Sequence, residues 1–247
     1  MDINQYPIQD IFEELDDNNR EMVNRLMEAF PVEFRVWQNK CYSAILKTIG
    51  VPSSKIVILY YPPISQEKIA HELLHMFCQL SLGTNECILS SPDEEDIYKK
   101  VFTEQFCEWL LNNAEHILMY PYYKDMGYDP NHFFEAFDDP GNIVAEFKQR
   151  GIRNHGSKYS LAMVVNYLKL CIHLQAFPLD NSCQKYLKEI KQIEYPLFSA
   201  VSRFFKGIED IEISANNYDY IQDKYIELRK TIVSWINRNR NNLVVDF

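Results

Sequence analysis

The chain has 247 residues, of which 47% are hydrophobic and 14% aromatic, and this composition excludes an intrinsically disordered protein. Its formal net charge of −10 disfavours electrostatic binding of nucleic acid or of an anionic membrane. Glycine is scarce, at seven residues, which favours helices over the many tight turns of an all-β protein. We therefore expect a mainly α protein with neither nucleic acid nor membrane as a partner.

The N-terminal residues, Met1 to Gln5, lack a basic run followed by an apolar segment, and no apolar stretch approaches membrane-spanning length. The six cysteines lack C-x-x-C spacing and lie mainly in apolar helical sequence, which favours reduced, buried thiols over disulfides. Together these features predict a cytoplasmic protein.

The first predicted elements are two helices within residues 7–49. Apolar residues recur at helical spacing in the first, at Ile8, Ile11, Phe12 and Leu15. The second amphipathic stretch runs through Val32, Phe34, Trp37 and Ile45. The segment from Lys55 to Tyr61 is rich in β-branched and aromatic residues and is followed by two prolines, which predicts a short strand.

A helix capped by Ser65 is predicted to follow this strand and to end near Leu82, before Gly83. A second helix is predicted to begin at Ser91-Pro92-Asp93-Glu94, which combines a cap, a proline at the first helical position and a glutamate three residues after the cap. This helix should end near Tyr120, before Pro121. A turn is predicted at residues 127–130, where glycine and proline occur together.

Beyond this turn the sequence predicts shorter helices to about Arg150, a loop at residues 151–157, and longer helices near 157–176, 180–207 and 215–239. We expect a catalytic, metal-binding part in residues 1–150 and a helical C-terminal part in residues 151–247. One compact domain is the alternative.

The middle of the first long predicted helix contains the string His71-Glu72-Leu73-Leu74-His75. Residues four apart share a helical face, so His71 and His75 can direct two imidazoles at one ion, with Glu72 turned toward its open side. Zinc bound by neutral imidazoles lowers the pKa of a bound water to about 7, and a neighbouring carboxylate can accept its proton. The motif predicts one zinc ion with Glu72 as the catalytic base.

A catalytic zinc usually has three protein ligands, so a further ligand must come from another element. The second predicted helix contains Asn112-Asn113-Ala114-Glu115-His116, whose polar members at positions i, i+3 and i+4 lie on one arc. Glu115 and His116 are therefore the candidate third ligands. If that helix is unbroken and folds back antiparallel, its first turns lie nearest His75, and Glu104 becomes the alternative.

With these motifs, residues 55–130 resemble the gluzincin branch of zincin metallopeptidases, in which H-E-x-x-H is joined by a glutamate from a later helix. The resemblance implies a zincin-like core with a short strand region before the metal-binding helix. It makes His71 and His75 ligands, Glu72 the general base and Glu115 the third ligand. His116 would support or replace Glu115, and Asn112 would lie behind the ligands.

The expected function is zinc-dependent hydrolysis of peptide bonds in an intracellular protein or peptide. The oxyanion of such a reaction needs a donor, for which the sequence offers several side chains without ranking them. They are Tyr122, Tyr123, Tyr128, His132 and His155. The alternative function is a zincin-derived module that binds metal for regulation or interaction, without turnover.

Overall fold

The computed structural model describes residues 6–7, 12–30, 33–38, 44–49, 55–60, 64–82, 95–133, 140–153, 158–176 and 181–246. The helices are α1 (Asp17–Ala29), α2 (Gln66–Leu82), α3 (Asp96–Val101), α4 (Glu104–Asp125), α5 (Pro130–Phe133), α6 (Gly141–Arg150), α7 (Leu161–Ala176), α8 (Asn181–Ile190), α9 (Tyr195–Ile208) and α10 (Tyr218–Asn239). The strands are β1 (Tyr6–Pro7), β2 (Glu33–Gln38), β3 (Ala44–Ile49), β4 (Lys55–Tyr60), β5 (Tyr159–Ser160) and β6 (Leu243–Val244). The expectation of a mainly α protein is confirmed.

The predicted second helix, through Val32 to Ile45, is wrong, because β2 and β3 occupy this region. In Glu33-Phe34-Arg35-Val36 polar and apolar residues alternate, which is the period of a strand, whereas the apolar positions used for the helix are irregularly spaced. Of the first predicted helix, Phe12 is helical and residues 8–11 lie outside the described residues. Regular helix resumes in α1 at Asp17.

The four strands nearest the N-terminus form one mixed sheet in the order β1-β2-β4-β3. β2 and β4 are parallel, with Phe34 opposite Ile56, and β3 pairs antiparallel with β4, with Leu46 opposite Ile58. The strand predicted from Lys55 is confirmed as β4. It occupies an inner position of the sheet, which suits its β-branched sequence.

Helix α2 follows β4 closely and contains the H-E-x-x-H string, as predicted. The Ser65 hydroxyl accepts a hydrogen bond from the Lys68 backbone N–H at 3.4 Å, and the Ser65 carbonyl accepts one from Ile69 N–H at 3.1 Å. Ser65 therefore caps the helix, satisfying N–H groups that its first turn leaves without an intrahelical partner. The predicted stop at Gly83 lies outside the described residues.

The second predicted helix is broken, contrary to expectation, into α3 and α4. Thr103 starts the new helix, because its hydroxyl accepts a hydrogen bond from Phe106 N–H at 3.2 Å and its carbonyl accepts one from Cys107 N–H at 2.9 Å. The helix also continues through Pro121 to Asp125 instead of ending at Tyr120. The predicted start at residues 91–94 lies outside the described residues.

The chain divides into two compact units, of which unit 1 comprises residues 1–81 and 119–135. In this unit the Asn19 amide of α1 donates to the Gln66 carbonyl at the start of α2, at 3.0 Å. The guanidinium of Arg25 lies 4.5 Å from the centre of the Phe77 ring. A hydrogen bond at one end and a cation–π contact further along hold α1 against α2.

The predicted turn at residues 127–130 is present, with Gly127 at a φ of 81° that a glycine adopts without strain.

Unit 2 comprises residues 82–118 and 136–247, and its central element is α7. This helix is apolar on nearly its whole circumference and most of its residues are buried, as expected of a helix surrounded by others. Helices α9 and α10 pack together through the rings of Phe204 and Tyr225, whose centres are 4.8 Å apart. The helix predicted over 180–207 is two helices, α8 and α9, separated by a turn at residues 191–194.

The predicted boundary near residues 151–157 stays a prediction, and residues 154–157 lie outside the described part of the chain. None of the helices among the described residues is both long enough and apolar enough to cross a membrane. Cys78, Cys107 and Cys171 are not bonded to another cysteine, as the cysteine pattern predicts for them.

Candidate metal centre

The candidate site begins with the two histidines of α2. His71 and His75 are four positions apart, and their Nε2 atoms lie 3.1 Å from each other. The two rings meet edge to face, with centres 4.8 Å apart. Helical spacing therefore brings the two imidazoles together, with the Nε2 atom of one ring next to that of the other.

Phe133 of α5 packs against this pair from the side of His71, with ring centres 4.9 Å apart. The same phenyl ring contacts Tyr120 and Tyr123 of α4, at 5.3 and 4.9 Å between centres. Phe133 is the member of this aromatic cluster that the sequence analysis does not include in the site, although it follows the predicted turn closely. Through Phe133 the cluster packs against His71 and limits the rotation of that ring.

Burial in this apolar surrounding has an electrostatic consequence for His71. Desolvation, followed by the influence of His75, lowers the pKa of the His71 imidazole to about 3. His75 is itself only 8% exposed. The His71 ring is therefore neutral near pH 7, and a neutral imidazole is the form that binds a metal ion.

His116 of α4 completes the cluster. It is 7% exposed and lies one helical turn before Tyr120, the residue whose ring contacts Phe133. Taking one ligand atom from each residue, the nitrogens of His71, His75 and His116 all lie within 4.8 Å of one another. These histidines are positioned to bind a metal ion.

The distances between the imidazole nitrogens can be compared with those between the ligand atoms of a zinc site. Two nitrogens about 2.05 Å from zinc in a tetrahedral arrangement are about 3.3 Å apart, close to the 3.1 Å between Nε2 of His71 and Nε2 of His75. The ligand atoms of the whole group lie within 4.8 Å of one another. A set of imidazole nitrogens suits zinc and the neighbouring transition metals, so the residues fit such an ion.

The chain matches no protein-family model, no curated protein and no solved structure. The geometry of the site is therefore the basis for interpreting its chemistry.

The remaining candidates for the third ligand differ in position. Glu115 is buried, at 3% exposure, but it is not a member of the histidine group. Adjacent residues of a helix are rotated by about 100°, which directs Glu115 and His116 to different sides of α4. Glu104 is exposed at the start of α4, about 18 Å along the helix axis from His116. The histidine group thus contains His116 and neither glutamate.

Two further residues were predicted to assist the metal site, Glu72 as the base and Asn112 behind the ligands, and they differ in burial. Glu72 is half-buried on α2 between the two histidines, as the motif requires for a base beside the ion. Asn112, predicted to lie behind the ligands, is exposed. The neighbouring Asn113 is buried, and the Asn113 amide donates a hydrogen bond to the Trp109 carbonyl at 2.7 Å.

The described side chains among the candidate oxyanion donors all belong to unit 1. Tyr128 donates its hydroxyl hydrogen to Asp16 Oδ2 at 2.6 Å, and the Tyr122 ring lies edge to face with Phe77. The His132 Nδ1 is 3.7 Å from Glu67 Oε1, and His132 is exposed. Tyr123 is fully buried, and burial raises the pKa of its hydroxyl. His155 lies outside the described residues.

Proposed function

We propose that this chain is a zinc-dependent metallopeptidase of the zincin type that hydrolyses peptide bonds of an intracellular protein or peptide. The observation that supports it is the histidine cluster. The Nε2 atoms of the two histidines in the H-E-x-x-H helix lie 3.1 Å apart, and the ligand atoms of these two and of His116 from α4 lie within 4.8 Å of one another. In this proposal His71, His75 and His116 hold the zinc ion. His116 takes the place that a glutamate has in gluzincins, and Glu115 becomes a residue that supports the ligands.

When bound, zinc supplies a Lewis acid that polarises the substrate carbonyl and brings the pKa of a water to about 7. His71, His75 and His116 would hold this ion. Beside it, Glu72 would be the base that takes a proton from water and the acid that returns this proton to the amide nitrogen of the broken C–N bond, so that the products would be a carboxylic acid and an amine. The imidazoles would hold the ion and so fix the position of the reaction.

The half-buried Glu72 favours turnover over a purely regulatory metal site. In the H-E-x-x-H arrangement this glutamate is not a ligand, and its carboxylate would act as the base beside the bound ion. A module that binds metal without catalysis has no chemical need for an acid at this position. The alternative function therefore predicts that Glu72 can be replaced without loss of any activity.

The experiment is an assay with a pool of fluorescence-quenched peptides, applied to protein stripped of metal and then supplied with one equivalent of zinc. We expect zinc to restore cleavage and Glu72→Gln to abolish it while the variant still binds zinc. Glu67→Gln is the matched control, because it makes the same change on the same helix. Zinc binding without cleavage of any peptide in wild-type protein would favour the regulatory alternative.

A further inference from the structure

Unit 2 contains a cavity of about 490 Å³ that has no part in the proposed hydrolysis. Three helices line it, α4 with Trp109, α6 with Ile143, Glu146 and Phe147, and α7 with Met163, Asn166, Lys169, Leu170 and His173. The volume lies within the range of small-molecule sites, and most of the wall is aromatic or aliphatic. These features indicate an occupant of small-molecule size with an apolar body.

The wall of the cavity is held in place by contacts between α4 and α7. The Trp109 indole N–H donates to the Lys169 carbonyl at 3.3 Å, and the Trp109 ring lies 5.9 Å from the His173 ring. On α7 the lining residues recur at intervals of three and four, from Met163 to His173, so a single face of that helix meets the cavity. The cavity is therefore preformed by packed helices.

The charged groups of the lining indicate the head group of the occupant. Glu146 is exposed and already pairs with Arg150 on the next turn of α6, at 3.4 Å. Lys169 is half-buried, and among the described residues no carboxylate lies within ion-pairing distance of its ammonium group. Burial lowers the pKa of His173 to about 4, so this ring adds no positive charge near pH 7. Lys169 is thus the one uncompensated charge in the described lining.

We propose that this cavity binds a small amphipathic carboxylate, with its apolar body against Trp109 and Phe147 and its carboxylate on the Lys169 ammonium. A charge-assisted hydrogen bond at a partly buried lysine is stronger than one between neutral groups. The aromatic and aliphatic walls supply the remaining contact. The inference concerns a site in unit 2 and does not depend on the proposed hydrolysis.

The test uses three probes with one apolar body and different heads, 4-phenylbutyrate, 4-phenylbutanol and 4-phenylbutylamine, titrated calorimetrically into the full-length protein near pH 7. We expect the carboxylate to bind at least about tenfold more tightly than the alcohol, and the amine to bind most weakly. Lys169→Met should lower the affinity for the carboxylate to that for the alcohol. Lys188→Met, which removes the same charge from an exposed position on α8, should leave it unchanged.

Four results would overturn the proposal, and three of them come from the probes and the lysine variants. One is the absence of binding by all three probes, and another is an equal effect of Lys169→Met and Lys188→Met. The third is tighter binding of the amine than of the carboxylate, which would assign recognition to Glu146.

Asn166→Trp should fill the cavity from its exposed rim and weaken the binding of all three probes without changing the fold, which circular dichroism would verify. Unchanged binding in that variant would place the probes elsewhere.

Discussion

The Nε2 atoms of His71 and His75 lie 3.1 Å apart on one face of α2. Without a metal ion, one ring can donate a hydrogen bond to the other, which satisfies one nitrogen of each. With a metal ion, both nitrogens become ligands at nearly the same separation. The spacing of the pair therefore matches that of two nitrogen ligands of one ion.

The third ligand can be tested by comparing three substitutions on α4. We expect His116→Ala to lower zinc affinity by more than the roughly 10- to 100-fold that loss of an orienting neighbour costs, because it removes a metal bond. Glu115→Ala should have the smaller effect, within that range. Glu104→Ala is the control, since this residue is exposed and about 18 Å along the helix from His116. Titration calorimetry measures the three affinities, and a larger loss in Glu115→Ala than in His116→Ala would restore the glutamate ligand.

The role of Glu72 predicts a separation between binding and catalysis. Glu72→Gln should retain zinc with an unchanged affinity and reduce peptide cleavage by about 10²- to 10⁴-fold, because an amide cannot accept the proton of the attacking water. The measurement is the cleavage rate of a peptide found with the quenched pool. Equal rates in the variant and the wild-type protein would remove Glu72 from the mechanism.

Asp16 connects α1 with Tyr128 through two hydrogen bonds, so we expect its substitution to lower stability. Its Oδ1 accepts a hydrogen bond from Asn19 N–H at 2.9 Å, capping α1, and its Oδ2 accepts one from the Tyr128 hydroxyl at 2.6 Å. Asp16→Ala should lower the free energy of unfolding by about 2–3 kcal/mol, since it removes a cap and a charge-assisted hydrogen bond.

Asp17→Ala is the matched control, because the Asp17 side chain is 95% exposed and pairs only with Arg20 across the helix surface. We expect this change to stay within about 0.5 kcal/mol. Denaturant unfolding of both variants measures the difference, and similar losses in the two would show that Asp16 acts only as a surface charge.

His173 predicts a pH dependence of stability. Burial lowers the pKa of its imidazole from 6.5 to about 4 in the folded protein. Between these values the unfolded chain binds a proton that the folded chain does not, so the free energy of unfolding falls as the pH falls, by up to about 3 kcal/mol. His173→Phe should remove this part of the slope between pH 6.5 and 4. Parallel stability curves for the two proteins would contradict the assignment.

Local sequence was sufficient to predict the elements that position the candidate metal site. The β-branched run from Lys55, the Ser65 cap and the spacing of His71 and His75 predict β4, α2 and the pair of ligands, because each is a property of adjacent residues. The choice between Glu115 and His116 could not be made in this way. It depends on the rotation of α4, which is set by the packing of Tyr120 and Tyr123 against Phe133.

The errors in the predicted fold have local physical causes. Apolar residues at mixed spacing in residues 32–45 were assigned to a helix, although the alternation in Glu33–Gln38 is typical of a strand. The break between α3 and α4 depends on Thr103, a cap residue inside an otherwise helical pattern. The continuation of α4 through Pro121 shows that tertiary packing can outweigh the cost of one missing backbone hydrogen bond.

The most direct test of the central proposal is the zinc content and coordination of the purified protein, measured by elemental analysis and X-ray absorption. We predict about one zinc ion per chain, with nitrogen ligands at about 2.0–2.1 Å. The ion should be lost in His75→Ala and retained in His132→Ala, which changes an exposed histidine outside the cluster. Wild-type protein that binds no zinc when titrated with it, or a His75→Ala variant that binds zinc as the wild type does, would contradict the proposed metal site.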